Sequence, residues 1–302
     1  MTPRLELVDL RKNYGDFVAV DGVSFAVPPG TVYGLLGPNG AGKTTTLRMI
    51  MDIIAPDTGQ VLFDGRPRRR DDLERIGYLP EERGLYRKMT VKEQLTFLGE
   101  LRGLPRAEAK RRALAWLDRV ELSDRAERKV EELSKGQQQK IQIAGTLIHE
   151  PEVVILDEPF SGLDPINQGL FKELLSEYKG EGRTIVFSTH IMEQAEKLCD
   201  HICLISRGRA VLIGELAAIK RREGGNAYRL TADGELARCA EVPGVAEALV
   251  ADDGASVRLF LADDADAAAV LGRLVSFLAV RDFRSQEPEL GEIFVKVVHD
   301  AG

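Results

Sequence analysis

The run GPNGAGKTT at residues 37–45 constrains this chain more than any other feature. It fills the pattern G-x-x-x-x-G-K-[ST] with Gly37, Gly42, Lys43 and Thr44. An apolar stretch, Thr31 to Leu36, leads into it, and Leu47, Ile50, Met51 and Ile54 follow at helical spacing over Thr44 to Ile54. Strand, glycine-rich loop and helix together make a phosphate cradle. The glycines let backbone N–H groups curl around an anion, and the helix N-terminus adds partial positive charge. Gly37, Pro38, Asn39, Gly40, Ala41, Gly42, Lys43, Thr44 and Thr45 are therefore the candidate nucleotide-binding residues. Lys43 is expected to reach the β- and γ-phosphates, and the Thr44 hydroxyl to face Mg²⁺.

A second motif fixes the kind of chemistry. Val153 to Leu156 is a continuous apolar run, as in a parallel strand buried on both faces, and it delivers Asp157 and Glu158 at its end. Parallel sheets bind ligands at that end of their strands. Asp157 suits the shell of Mg²⁺, with Thr44. Period-two alternation points Glu158 to the other side, where it is placed to polarise an attacking water. The plain alternative is an acidic strand end capping a turn at Pro159.

The remaining pattern is α/β. Thr184 to Phe187 reads as another buried strand, with a helix from Gln168 to Tyr178 before it. Near the start, Leu5 and Leu7 open a strand, Phe17 to Val27 reads as an alternating pair around Asp21-Gly22, and Gln60 to Phe63 as a further strand. Residues 90–130 are helical in character, through Val91, Leu95, Leu98 and Leu101, then Ala113, Trp116, Leu117 and Val120. Arg221 to Gly225, RREGG, reads as a linker. Beyond it come a strand at 227–232, a short helix, a hairpin turned at Asp252-Asp253-Gly254, a helix at 264–278, a strand at 279–284 and a helix from Pro288 to Val298. That order resembles a split βαβ domain.

Composition narrows the roles. Hydrophobic residues make up 44% and charged residues 29%, an ordinary globular balance. The formal net charge of -7 argues against a protein that grips nucleic acid. The basic run Arg66-Pro67-Arg68-Arg69-Arg70, with Asp71, Asp72 and Glu74 after it, reads as a solvated loop in preference to a phosphate patch. Cys199, Cys203 and Cys239 read as reduced thiols, and the first two, with His201, as core packing before a metal pair. No apolar run reaches the ~20 residues that span a bilayer, so a membrane role is expected to be peripheral, on the cytoplasmic side.

Leu133 to Gln137, LSKGQ, lies between the two acidic and phosphate motifs. A serine and a glycine at a helix start present a hydroxyl and N–H groups to an anion. With GPNGAGKTT and LDE, this constellation resembles the ABC ATPases over roughly residues 4–220. The resemblance implies a P-loop NTPase core with a RecA-like sheet, an antiparallel β subdomain and a helical subdomain at about 85–150, within an ATP-binding domain at 1–222. A small α+β domain, possibly ferredoxin-like, would occupy 226–302. It further implies that Ser134, Lys135, Gly136 and Gln137 act across a dimer, Lys135 departing from the usual glycine. Asp164, in Ser161-Gly162-Leu163-Asp164, would serve the D-loop, His190 the γ-phosphate switch and Tyr14 adenine stacking. Where the family carries Gln, this chain has Glu81, retained as a candidate Mg²⁺ ligand with Glu82 as its rival.

GYLPEERGLY and the stretch Pro288 to Phe294 resemble the sodium or drug exporter subgroup, of NatA type. The resemblance implies ATP and Mg²⁺ as cofactors, catalysis by Glu158 and His190, a homodimer or paired ATPase subunit, and an integral-membrane permease whose substrate is exported. Leu85, Tyr86 and Met89 would either meet that permease or pack inside the helical block. The rival readings are a soluble ABC ATPase acting on ribosomes or nucleic acid, a regulatory module without turnover, and a nucleotide kinase, which has no use for LSKGQ.

Overall fold

The computed structural model describes residues 2–82, 84–223, 227–251, 254–262, 264–286 and 288–300. The chain divides into two compact units at Gly214/Glu215. In the first, β1 (Leu5–Tyr14), β2 (Phe17–Val27), β3 (Val32–Leu36), α1 (Lys43–Ile50), β4 (Thr58–Phe63), β5 (Arg66–Pro67) and β6 (Ile76–Leu79) come before the helices. Then follow α2 (Val91–Leu101), α3 (Arg106–Arg119), α4 (Lys135–Leu147), β7 (Val153–Asp157), α5 (Pro165–Gly180), β8 (Thr184–Thr189), α6 (Met192–Leu198), β9 (His201–Ser206) and β10 (Arg209–Glu215).

These strands form two sheets. One has the order β2-β1-β4-β5, with antiparallel pairing. The other has the order β10-β9-β3-β8-β7-β6, and β9, β3, β8, β7 and β6 run parallel. Alternation along the parallel strands splits the interior into two cores. Val153 and Ile155 of β7 join α1 and the antiparallel sheet through Leu47, Ile50 and Phe63. Val154 and Leu156 join the helices through Leu95, Leu117, Ile141 and Phe171. Period two on a strand buried on both faces is what permits this. The helical block thus shares its core with the sheet.

Three local expectations are corrected. Phe17 to Val27 is one strand, and the hairpin reverses at Gly15-Asp16, with Tyr14 opposite Phe17. Asp21 is a cross-strand partner, held by Arg11 and, at 2.8 Å, by the Nε of Arg209. The first helix ends at Ile50, and Ile53 is exposed. Arg68 donates to the carbonyls of Met49 and Ile50 at 2.9 and 2.6 Å, filling acceptors that a helix end leaves open.

The basic run is consequently a clamp. Arg66 grips buried Asp72 with two bonds of 2.7 and 2.8 Å, and the Arg69 N–H donates to the same carboxylate at 2.7 Å. The cysteine reading stands on geometry: Cys203 is buried in β9, and Cys199 sits over Gly34, where an added Cβ would be 2.6 Å from its sulfur.

In the second unit, α7 (Leu216–Glu223) precedes β11 (Ala227–Asp233), β12 (Val245–Val250), β13 (Ser256–Leu261), α8 (Ala267–Leu274), β14 (Ala279–Ser285) and α9 (Leu290–Asp300). Arg221 to Glu223, expected as linker, form the last turn of α7, where Glu223 pairs with Lys296 of α9 at 3.1 Å. Gly224 and Gly225, like Asp252 and Asp253 of the expected hairpin turn, lie outside the described residues. The sheet order is β12-β13-β11-β14, antiparallel throughout, with Leu230, Val257, Leu259 and Leu274 in its core. This is the split βαβ order, with a 3₁₀ turn at Leu236–Glu241 in place of the first helix.

The Arg66 guanidinium, ahead of the Arg69 N–H, holds the Asp72 carboxyl below its ordinary value. A depressed pKa contributes stability that is present above the unfolded value of about 3.9 and lost as pH falls through the folded one. Asp72→Asn should lower Tm by a few degrees at pH 7. A pH series of melting curves should show the gap to wild type closing in acid.

Candidate active site

The phosphate-loop motif lies between β3 and α1. Gly42 caps α1 from the left-handed region, at φ 107°. A Cβ there would lie 2.4 Å from the Ala19 carbonyl oxygen, and one on Gly37 would lie 2.1 Å from that of Ile205. Both obstacles are backbone, so neither can give way. Lys43 is buried and folds back over its own loop, donating to the carbonyls of Gly37 at 2.7 Å and Pro38 at 3.2 Å.

The two carboxylates at the end of β7 converge. Asp157 Oδ1 accepts from the Thr44 hydroxyl at 3.2 Å and from the Ser188 hydroxyl at 2.6 Å. Glu158 Oε1 stands 3.4 Å from the Lys43 ammonium, and its two oxygens lie 3.0 and 3.1 Å from His190 Nδ1. Alternation had placed Glu158 on the opposite side from Asp157. It fails here because Glu158 has left the strand, with φ +48°, and the turn swings its side chain to the lysine.

Burial pushes the Asp157 carboxyl above its ordinary value, and the bonds from Ser188 and Thr44 oppose that rise. Its second oxygen, Oδ2, is buried with no hydrogen-bond partner. A buried acceptor left open beside a threonine hydroxyl and a phosphate loop fits a cation's shell.

A cleft of about 440 Å³ gathers Asn39, Gly40, Lys43, Thr44, Glu81 and Glu158. Tyr14 and Phe17 form its outer lip, both exposed. Glu81 lines the cleft, and Glu82, also exposed, is not among its lining residues. The structure brings in two residues that sequence reasoning missed. Phe17 faces Tyr14 across the hairpin, a pairing that becomes visible once the turn is placed at Gly15-Asp16. Ser188 pairs with Asp157 in register on the neighbouring strand, and its oxygen also accepts from the Glu158 N–H at 2.9 Å. Only knowledge of strand order reveals that contact.

The LSKGQ segment stands apart from the cleft. Ser134 caps α4 in a reciprocal pair: its hydroxyl accepts from the Gln137 N–H at 3.3 Å, and Gln137 Oε1 accepts from the Ser134 N–H at 3.0 Å. Ser134 and Lys135 are exposed, and neither lines the cleft. Asp164 caps α5 by accepting from the Asn167 N–H at 2.9 Å, and Asn167 Nδ2 is also the nearest atom, at 3.2 Å, to a Cβ built on Gly136.

A buried lysine over a glycine-rich loop, a hydroxyl against a buried carboxylate and a second carboxylate facing a histidine define a nucleoside-triphosphate-hydrolysing cassette. Comparison with known proteins gives the family. The ABC transporter family model matches residues 20–161, and the model for the C-terminal domain of DrrA1-3-like ATP-binding proteins matches residues 214–298. The chain is 41% identical to the ABC transporter ATP-binding protein YhaQ of Bacillus subtilis, over 97% of this chain and 98% of that one. It is 40% identical to the Nod factor export ATP-binding protein I of Paraburkholderia xenovorans, over 71% of this chain and 72% of that one. Among solved structures, an ATP-binding subunit of an ABC transporter matches with TM-score 0.67 at 35% identity, over 73% of this chain and 93% of its own. A dimeric cassette in a post-hydrolysis state, bound to ADP and Pi, matches with TM-score 0.64 at 26% identity, over 70% and 98%. The chain belongs to the ABC transporter ATP-binding proteins, and it is an ATPase.

Ser188 holds Asp157 and the backbone of Glu158 with one hydroxyl. Ser188→Ala should lower kcat for ATP by about tenfold or more with a smaller change in KM. Losing a bond that lowers the Asp157 pKa moves that pKa upward, so the acid limb of the pH–rate profile should shift to higher pH.

Proposed function

We propose that this ATPase powers export across a membrane through a separate permease, working as one of a pair of cassettes. The observation that carries the pairing is the separation within a single chain. Lys43, Thr44, Asp157, Glu158 and His190 converge, while none of Ser134 to Gln137 lines their cleft and Ser134 and Lys135 are exposed outside it. A second subunit's segment completes the first subunit's site. The solved relative that is dimeric with ADP and Pi supports this reading.

Each role follows from position. The loop N–H groups and the α1 N-terminus bind the phosphates. Lys43, now held by carbonyls and Glu158, exchanges those acceptors for phosphate oxygens. Asp157, Thr44 and Glu81 would hold Mg²⁺, and Asp157 Oδ2 is the open acceptor such an ion needs. Mg²⁺ would supply charge neutralisation on the phosphate oxygens. Among the described residues no three His, Cys, Asp or Glu side chains cluster as a metal site, so the nucleotide's own oxygens would complete the shell. Tyr14, with Phe17, stacks on the base. Glu158, released from Lys43, orients and polarises the attacking water, and His190 keeps its geometry against the γ-phosphate. Closure by the partner's Ser134, Lys135, Gly136 and Gln137 excludes bulk water, and hydrolysis removes the anion that joins the pair.

The permease reading has a surface to act on. A groove of about 400 Å³ runs between the end of β6 and helices α2 and α4, lined by Pro80, Leu85 and Leu98 among others. Leu85 is half-buried against the helical core and Tyr86 is exposed, its ring edge-on to Phe97 at 5.4 Å. Among the described residues no helix is long and apolar enough to cross a membrane. The direction, outward, is supported by the relative named for Nod factor export and by the DrrA1-3-like tail. The net charge of -7 disfavours action on nucleic acid. The place of action is then the cytoplasmic face of the membrane.

Glu158→Gln tests the central assignment. ATP turnover should fall by about two orders of magnitude or more, and ATP should then trap a stable dimer on size-exclusion chromatography. Surviving turnover would remove Glu158 from the water-activating role.

A further inference from the structure

The groove beside α2 carries an electrostatic feature that its apolar lining does not explain. Arg102, at the C-cap of α2, is the one charged side chain among the described residues that line it. Leu79, Leu85, Leu98 and Leu101 supply the apolar wall, and Leu101 is 63% exposed. Four other partly buried arginines of this unit have carboxylate partners: Arg66 with Asp72, Arg75 with Glu152, Arg112 with Glu108 and Arg183 with Glu181. Arg102 forms no ion pair among the described residues. Its contact is a long bond of 3.4 Å to the Leu73 carbonyl.

The surroundings do not neutralise it. The nearby imidazole of His149 is pushed down to about 4, first by burial and then by the charge of Arg102, so it is neutral at pH 7. Burial alone lowers the Arg102 pKa, with no carboxylate acting to raise it. A guanidinium that is partly desolvated and unpaired is costly to keep, and it offers several N–H donors in a fixed fork. An apolar groove ending in such a cation is complementary to an apolar segment that ends in a carboxylate.

We infer that the permease segment seated in this groove presents an aspartate or glutamate to Arg102, with apolar side chains against Leu85, Leu98 and Leu101. This rests on the transporter reading above and adds the chemistry of the partner. Apolar side chains of the docked segment covering Leu98 and Leu101 would shield the pair from water, so it contributes more than a surface ion pair. It also fixes the direction of the docked segment, because its acidic end must lie at the α2 C-terminus.

The test uses the full chain, tagged, co-expressed with the polytopic membrane protein that co-purifies with it in detergent. Arg102→Glu should cut recovery of that protein by about tenfold or more at unchanged Tm. Replacing one cytosolic carboxylate of that protein by Lys should restore recovery with Arg102→Glu and weaken it with wild type. Should Glu lower the Tm, Arg102→Met removes the charge, keeps the stem and is read in the same way. Leu101→Glu, at an exposed rim position, separates the two ideas. If Leu101→Glu loses the partner and neither Arg102 variant does, docking in the groove stands and the carboxylate is overturned. If wild type brings down no polytopic membrane protein, the transporter reading falls and this inference falls with it. If the chain alone binds phosphatidylglycerol vesicles and Arg102→Glu abolishes that binding, the cation serves a lipid headgroup, which overturns the inference.

Discussion

The turn at Glu158 is the constraint on which the rest of the site depends. A strand presents successive side chains to opposite faces, so β7 alone cannot bring Asp157 to Thr44 and Glu158 to the adjacent Lys43. The chain resolves this by leaving the strand with Glu158 at φ +48°, a conformation costing a non-glycine residue about 1–3 kcal/mol. The interactions that hold it there are the ones the proposed chemistry uses. Ser188 accepts the Glu158 N–H, while Lys43 and His190 hold the carboxylate. Strain at this residue is thus held by the surrounding ion pair and hydrogen bonds.

The two cores make that turn rigid. Val154 and Leu156 pack toward the helices while Val153 and Ile155 pack toward α1, so β7 is gripped from both sides as far as Leu156. The same division fixes the phosphate loop. Leu47 and Ile50 bury α1 beneath the antiparallel sheet, and Arg68 from that sheet's far end closes the helix C-terminus. Both ends of α1 are therefore specified, one by glycines that no side chain can replace and the other by a guanidinium.

Much of this was legible in the sequence because the signals were local. The loop glycines, the apolar runs of β7 and β8 and the capping serine before α4 each announce themselves within a few residues. What escaped was pairwise. Ser188 matters because β8 lies beside β7 in register with Asp157, and Phe17 because it faces Tyr14 across a hairpin. The turn at Gly15-Asp16 was hidden by Asp21-Gly22, a stronger turn signal on its face, whose aspartate is consumed by Arg11 and Arg209. Within the expected RREGG linker, Arg221 to Glu223 escaped as helix for the reverse reason. These residues carry a helix's charge pattern, and Glu223 finds its partner Lys296 far along the chain.

The contacts around α4 connect the separated halves of the site. Gln139 of α4 donates to the carbonyl of Pro159, the residue after Glu158, at 3.4 Å. Gly136 comes close to Asn167, which is bound to Asp164 at the head of α5. The exposed Ser134 end of α4 is thereby tied, inside one chain, to the turn that holds the carboxylate. In the proposed pair, that end covers the partner's nucleotide. A shift of the Glu158 turn on hydrolysis would then be felt by the cap over the other nucleotide, through packed backbone and with no separate relay. A side chain on Gly136 would press on Asn167 and disturb both ends of this link. That is a physical reason for glycine at this position even though the preceding residue is lysine.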